Sequence, residues 1–211
     1  MRILKILKNN IILSQDMIEY IDSLKPYTGE SWKINTNNMK AFKKILRDEM
    51  DKGQDGRCAY CGSKYGVTSD NNIEHIAPKA TKLYPQFGFT PMNLVLSCTL
   101  CNNRSHKGEI DTISKYDDDY NKCTFIIVHP YFDDPKEHFD NTITNDNGII
   151  FVGKSRQGLK SIEIFGLNDE PKSTERAKDI IGDYQRATMT NDKMKLLIEE
   201  ALVYKGSNTA C

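Results

Sequence analysis

Cys58-Ala59-Tyr60-Cys61 and Cys98-Thr99-Leu100-Cys101, two C-x-x-C pairs in a chain of 211 residues, decide how this sequence folds. Each pair sets two thiols at the spacing of a metal knuckle. Two knuckles together supply the four thiolates of a closed, tetrahedral, structural zinc site. The opening MRILKILKNNIILSQ is briefly basic and apolar. It lacks a long apolar region and a small-residue cleavage site, so it does not read as a secretory leader, and a cytoplasmic location is expected. Thiols stay reduced there, which favours a metal over disulfides. Residues 62–97, between the knuckles, exceed what a minimal zinc ribbon needs, so something is inserted. Cys123 and Cys211 stand outside this spacing; the first reads as a core residue beside a strand, the second as a tail thiol.

The composition agrees with a folded, water-soluble chain. Hydrophobic residues make up 38% and charged residues 27%, which excludes a wholly disordered protein. Lys+Arg and Asp+Glu are 29 each, which excludes a generic basic polyanion binder. No apolar run approaches the roughly 20 residues that span a bilayer, so no membrane partner is expected. The charge is uneven, however. Residues 57–109 carry six Lys/Arg against three acids, and residues 111–150 carry three Lys against nine acids. A mildly basic segment followed by an acidic one fits a local anion site in a neutral protein.

Outward from the knuckles the elements follow the hydrophobic periodicity. Ser14 can cap a helix over 14–24, and Pro26 and Gly29 break the chain after it. Met39, Phe42, Ile45, Leu46 and Met50 share one face of a second helix over 37–51. Residues 72–77 read as extended, 79–91 as a loop, 93–97 as a short apolar run, and 99–107 as one or two helical turns stopped by Gly108. Further on, 124–129 read as a buried strand, and 141–144 with 149–152 as a hairpin about Asn145-Asp146-Asn147-Gly148. Residues 159–167 fit a strand or a short helix equally. Ser173 or Thr174 can cap a helix running to Thr188, and Asn191 a last one running to Tyr204 with Met194, Leu197, Ile198, Leu202 and Val203 buried. The expected class is α+β. A zinc-stapled core over 57–110 lies between an N-terminal helical extension, 1–56, and a C-terminal accessory region of hairpin and helices, 111–211.

Ile73-Glu74-His75-Ile76-Ala77-Pro78 lies between the knuckles, Asn93-Leu94 precedes the second, and Asn102-Asn103-Arg104-Ser105-His106-Lys107 follows it. Hydrolysis of a phosphodiester needs a base for water near neutral pH, which a neutral histidine supplies. It also needs a cation for the charge that develops on the phosphate and the leaving oxygen. Glu74 and His75 bring both residue types. Neighbours on a regular strand point to opposite faces, so a twist or bulge near Pro78 is required for both to reach one site. Asn102 and His106, four apart, would share a face of the following helix.

The order C-x-x-C, E-H-I-x-P, N-L, C-x-x-C-N resembles the HNH (ββα-metal) endonuclease family over about residues 57–108. The resemblance implies a zinc-stapled ββα-metal core. It makes His75 the general base, and Glu74, where the family usually has Asp, a ligand of one catalytic magnesium or manganese. It makes Asn93 the residue that holds the loop in shape, Asn102 the second metal ligand, and His106, in competition with Asn103, a further one. The family's lysine three residues after the closing Asn is here Ser105, with Lys107 two later, a departure that touches the helix register. The segments around Val128–Phe139 and Ile162–Asn168 are similar to the HNH subunits of bacterial anti-phage systems of the Septu and retron-associated kinds. Those work beside an SMC/ABC-like ATPase. The implied function is therefore an endonuclease acting on DNA or RNA in a defence complex. The alternatives are a standalone restriction-type HNH endonuclease, for which no basic recognition helix is visible outside the core, and a non-catalytic zinc-ribbon module that binds nucleic acid.

The other chemistry-bearing residues read as structural. His129 and His138 read as histidines satisfied by hydrogen bonds, Asp117–Asp119 as a solvated loop, and Trp32 as core or interface. Tyr60 and Tyr65, beside the first knuckle, are the tyrosines placed well enough to stack on a base.

Overall fold

The computed structural model of the chain describes residues 7–8, 11–65, 71–103, 105–140, 149–194 and 196–197. Two N-terminal helices lead in. Helix α1 (Gln15–Asp22) is capped by Ser14 and α2 (Asn37–Gln54) by Thr36, each hydroxyl accepting from the backbone N–H three residues on. Met39, Phe42, Leu46 and Met50 are the buried face of α2, as the spacing predicts. The helix runs through Gly53 and stops at Asp55, whose φ of 55° is left-handed.

The two knuckles flank an antiparallel hairpin. Strand β1 (Asn71–His75) pairs with β2 (Leu94–Cys98), Asn71 opposite Cys98 and His75 opposite Leu94. Every residue of β2 is buried, so the hairpin has no solvent face on that strand. Its outer backbone edge is closed by Gln54 at the end of α2. The Gln54 amide donates to Leu96 O at 2.7 Å and accepts from Leu96 N at 2.8 Å, as a neighbouring strand would.

Helix α3 (Thr99–Asn102) follows at once and is a single turn. The predicted helix over 99–107 ends there because Asn103 is extended (φ −81°, ψ 166°) and Gly108 takes a positive φ. The chain between them is tied as turns by Gly108 N donating to Asn103 O and Ile110 N to Lys107 O.

Strands β3 (Ile113–Lys115) and β4 (Thr124–Phe125) form a second small pair. The predicted strand over 124–129 is cut to two residues because its later donors go to side chains. Val128 N binds Ser161 Oγ and His129 N binds Asp133 Oδ2. Helix α4 (Pro135–His138) leads into β5 (Phe139–Asp140), paired with β6 (Val152–Gly153). The paired residues are 139–140 and 152–153, so of the second predicted strand, 149–152, only Val152 is in a strand. The turn predicted at 145–148, with 141–144, lies outside the described residues.

The ambiguous stretch at 159–167 is helical: α5 (Arg156–Phe165) is capped by Ser155 and ended by Gly166. Gly158 is required there, since a Cβ would lie 2.1 Å from the carbonyl oxygen of His138. Helix α6 (Glu170–Thr188) is preceded by Asp169 at its N-cap, four or five residues earlier than predicted. Residues 191–194 and 196–197 are helical, but Leu197, predicted as buried, is 48% exposed. The rest of the predicted last helix, 198–204, and Cys211 lie outside the described residues. One contiguous apolar cluster, from Leu7 to Leu167, joins the N-terminal helices, the hairpin and α5.

Candidate active site and zinc centre

The hairpin and the two knuckles bring Cys58, Cys61, Cys98 and Cys101 together with all four sulfur atoms within 4.8 Å of one another. The Cys61 and Cys98 sulfurs are 3.8 Å apart. Four sulfurs about 2.3 Å from a central zinc stand about 3.8 Å from each other in a tetrahedron, so the donor set fits zinc. Burial pushes the Cys58 thiol up, whereas its three thiol neighbours hold Cys61 down. Four thiolates this close need a cation between them.

Glu74 and His75, at the end of β1, line one cleft with Lys33, Lys79 and Lys107. His75 is 5% exposed, its ring edge-on to Trp32 at 4.6 Å. Its Nε2 lies 3.0 Å from Gly88 O. A carbonyl only accepts, so Nε2 carries the proton and Nδ1 carries the lone pair. Burial, and then the Lys79 cation, lower the His75 pKa to about 3, against the pull of the Gly88 carbonyl. The ring is neutral at physiological pH, the state a general base requires.

Glu74 Oε1 meets Lys107 Nζ at 2.6 Å, and Lys107 is only 1% exposed. Burial raises the Glu74 pKa, opposed first by the Lys107 charge. Sequence reasoning noted Lys107 only as a register departure. The early end of α3 is what carries it to Glu74. Lys79, more than half-buried, has its pKa lowered by burial while the Glu74 charge raises it. It was visible in the sequence only as the residue after Pro78.

Asn93 is fully buried and uses all four of its bonds. Oδ1 accepts from Ala77 N at 2.6 Å and from Tyr120 Oη at 3.0 Å, while Nδ2 donates to Ala77 O at 3.1 Å and Phe87 O at 3.0 Å. It ties both ends of the loop that presents Gly88 to His75.

Asn102 closes α3 and is half-buried, but is not among the residues lining the cleft. The helical face predicted for His106 is absent. Because α3 has ended, His106 does not share a face with Asn102. Its Nδ1 faces Asn103 Oδ1 at 2.9 Å, and its Nε2 faces Lys172 Nζ at 3.1 Å and Asp169 Oδ2 at 3.2 Å. The cleft therefore offers a hard cation the buried carboxylate of Glu74, which Lys107 already touches, with Glu30, paired with Lys33 at 2.8 Å, and Glu109 also in its lining. Such a set fits a magnesium-type ion that completes its sphere with phosphate oxygens and water.

Tyr60 and Tyr65 are core residues rather than stacking platforms. Tyr60 lies flat on Phe165 at 4.0 Å, and Tyr65 donates to Asp51 at 2.7 Å. His129 is fully buried, stacked on Phe132 at 4.0 Å with Nε2 2.9 Å from Tyr120 Oη. His138 Nδ1 meets Ser155 Oγ at 2.7 Å. Both are satisfied structurally, as expected.

The antiparallel hairpin, the short helix after it, the four converging cysteines and the buried Glu-His pair all lie within residues 58–108, which match the HNH endonuclease family model. The chain is also 33% identical over 151 residues to the Septu protein PtuB of Bacillus mycoides (strain KBAB4), covering 63% of this chain and 50% of that protein. It is also 32% identical over 104 residues to Protein ea31 of Escherichia phage lambda, covering 48% of this chain and 30% of that protein. The chain thus spans half or less of the length of these relatives. Among the described residues no helix is long and apolar enough to cross a membrane.

Proposed function

We propose that this chain is an endonuclease that hydrolyses phosphodiester bonds of DNA or RNA, with residues 57–110 as its nuclease core and 1–56 and 111–211 as accessory regions. The observation that carries the reading is His75. Its ring is buried, neutral and oriented by Gly88 O, with Nδ1 left to accept a proton beside Glu74 in a lysine-lined cleft. A module that only bound nucleic acid has no use for a base held this way.

In the proposed reaction, Nδ1 of His75 takes a proton from water as its oxygen attacks phosphorus, and the bond to the leaving ribose oxygen breaks. An anionic phosphate in the cleft offsets the lysine charges that depress His75, so the ring gains basicity when substrate is bound. Lys79 and Lys107 attract the phosphate and hold it near the base. A magnesium or manganese ion held by Glu74, with Asn102 as the second protein ligand, would stabilise charge on the phosphate and the leaving oxygen. His106, in competition with Asn103 for the role of a further ligand, would have to leave Asp169 and Lys172 to join that set.

We further propose that the nuclease works in an anti-phage defence complex with an SMC/ABC-like ATPase. The similarity to the Septu protein PtuB supports this, as does a net charge of zero, which leaves non-specific nucleic-acid affinity to a partner. The test incubates purified chain, with and without an SMC/ABC-like ATPase, with plasmid DNA and total RNA. Magnesium-dependent cleavage that EDTA and His75→Ala both abolish is expected. Binding without cleavage, unchanged in His75→Ala, would instead establish a non-catalytic module.

A further inference from the structure

Helix α6 lies outside the cleft, yet one stripe of it faces the zinc knuckles. Lys172, Arg176 and Asp179, at i, i+4 and i+7, share that face. Asp179 Oδ2 accepts from Arg57 Nη1 at 2.9 Å, and Arg57 immediately precedes Cys58. The same nitrogen donates to Gly62 O at 2.7 Å, immediately after Cys61. At the other end of the stripe, Lys172 is 2% exposed and reaches Phe165 O and, at 3.1 Å, His106 Nε2 in the turn that follows Cys101.

Arg176 lies between these two anchors and is 8% exposed. Its Nε donates to Ile149 O at 2.7 Å, its Nη2 donates to Leu167 O, and the guanidinium sits 4.9 Å over the ring of Phe151. Those contacts fix the plane of the group. Nη1 is left buried with no hydrogen-bond partner among the described residues. Burial lowers the Arg176 pKa, and the groups that act against burial are Cys61 and Cys101. A buried charged donor without an acceptor is strongly disfavoured, and a zinc ion with four thiolates carries a net charge of about −2 in the same region.

We propose that Arg176 is an outer-shell partner of the zinc centre: its Nη1–H groups face the sulfurs of Cys61 and Cys101, and its guanidinium offsets part of the tetrathiolate charge. Helix α6 is then held against the knuckles by three residues of one stripe, with Arg176 at its centre and the flanking Arg57–Asp179 ion pair and Lys172–His106 hydrogen bond setting its register. The proposal rests on zinc occupying the four cysteines and not on the nuclease reading. It concerns a residue outside the segment that matches the HNH family.

The test uses the full chain as wild type, Arg176→Lys and Arg176→Gln. Zinc content of the wild type is measured first, and a zinc-free wild type overturns the proposal by removing its premise. The rate of zinc transfer to a chromogenic chelator is then compared under native conditions, beside urea midpoints. Arg176→Gln is expected to release zinc about tenfold faster, the low end for loss of an outer-shell group. Arg176→Lys, which keeps the charge, should stay within about threefold of wild type. A role limited to holding Ile149 O and Leu167 O predicts instead that Lys and Gln are equally impaired, and that outcome overturns the proposal. So does a Gln variant that releases zinc at the wild-type rate. If the Gln variant does not fold, wild-type protein loaded with an NMR-active cadmium isotope decides. A scalar correlation from the metal to the Arg176 guanidinium protons is expected, and its absence in a spectrum that shows backbone N–H correlations to the metal overturns the proposal.

Discussion

Replacing Asn93 by alanine separates a residue that shapes the cleft from one that takes part in chemistry. The side chain is fully buried and makes four hydrogen bonds. On truncation Tyr120 Oη keeps His129 Nε2 at 2.9 Å and Phe87 O keeps Thr90 N at 3.2 Å, but Ala77 N and Ala77 O lose this partner. Each buried polar group so abandoned costs about 1–3 kcal/mol, and water entering the gap recovers part of that, so Asn93→Ala should cost about 3 kcal/mol. Asn93→Asp should be no better, because a carboxylate keeps the two acceptor roles but sets negative charge against the Ala77 and Phe87 carbonyls. Urea unfolding at pH 7.5 measures the cost as a fall in midpoint with little change in slope. Cleavage should fall with stability, since the loop Asn93 ties carries the Gly88 carbonyl that orients His75. An Asn93→Ala protein within about 1 kcal/mol of wild type yet inactive would refute the structural account.

Other perturbations reach the remaining parts of the site. His75→Ala should abolish cleavage while leaving zinc content unchanged and circular dichroism native; activity within a few-fold of wild type removes His75 from the role. Elemental analysis should find one zinc per chain, and Cys58→Ser should lose it together with the cooperative unfolding transition. Both His75 and His129 have folded-state pKa values lowered to about 3 by burial, below the ordinary 6.5. The unfolded chain therefore binds more protons between those values, so stability is full above pH 6.5 and falls as pH drops toward 3, by up to about 2.7 kcal/mol per pH unit for the two together; a flat urea midpoint between pH 6.5 and 4.5 contradicts their burial as neutral rings. Lys107→Met strands the Glu74 carboxylate and should cost about 3 kcal/mol. Millimolar magnesium should restore part of that stability if Glu74 binds the ion, and no restoration argues against Glu74 as a ligand.

How much of this was readable from the sequence follows the range of the interactions involved. The knuckles, the β1 and β2 segments and the buried face of α2 come from local spacing, and each is close to where the pattern puts it. Asn93 also sits where the resemblance predicts a loop-holding residue, with four bonds to do it. What failed depended on partners far along the chain. His106 had the right spacing from Asn102 for a shared helical face, but the helix ends at Asn102 and α6, more than sixty residues later, supplies Lys172 and Asp169 to receive the ring. Tyr65 had no local sign that Asp51 would bind it, and nothing near Tyr60 announced Phe165. The apolar run after Thr124 had strand composition, but Ser161 and Asp133 take its backbone donors. Arg176 looked like one more charge on an amphipathic helix.

The strand-alternation problem at Glu74 and His75 has a physical resolution at the end of the hairpin. Paired residues of β1 must alternate, and His75 is the last of them, opposite Leu94. Immediately beyond it the chain leaves the ladder under external control: Ile76 N binds Asn93 O, both backbone groups of Ala77 are held by the Asn93 side chain, and Ile76 O accepts from Thr112 Oγ1 at 2.6 Å. The bend brings the loop from Pro78 to Gly88 across the end of the strand, so a wall that would otherwise be solvent becomes Lys79 on one side and the Gly88 carbonyl on the other. Glu74 meets Lys107 from the turn after α3, and His75 meets Gly88 and Trp32 from the loop and the N-terminal region. Opposite faces of one strand end thus open into a single cleft because different parts of the chain fold over each. The four cysteines join the two knuckles at the other end of the same hairpin, so removing a metal they hold and changing Asn93 should each misplace His75, the first through the strands and the second through the loop.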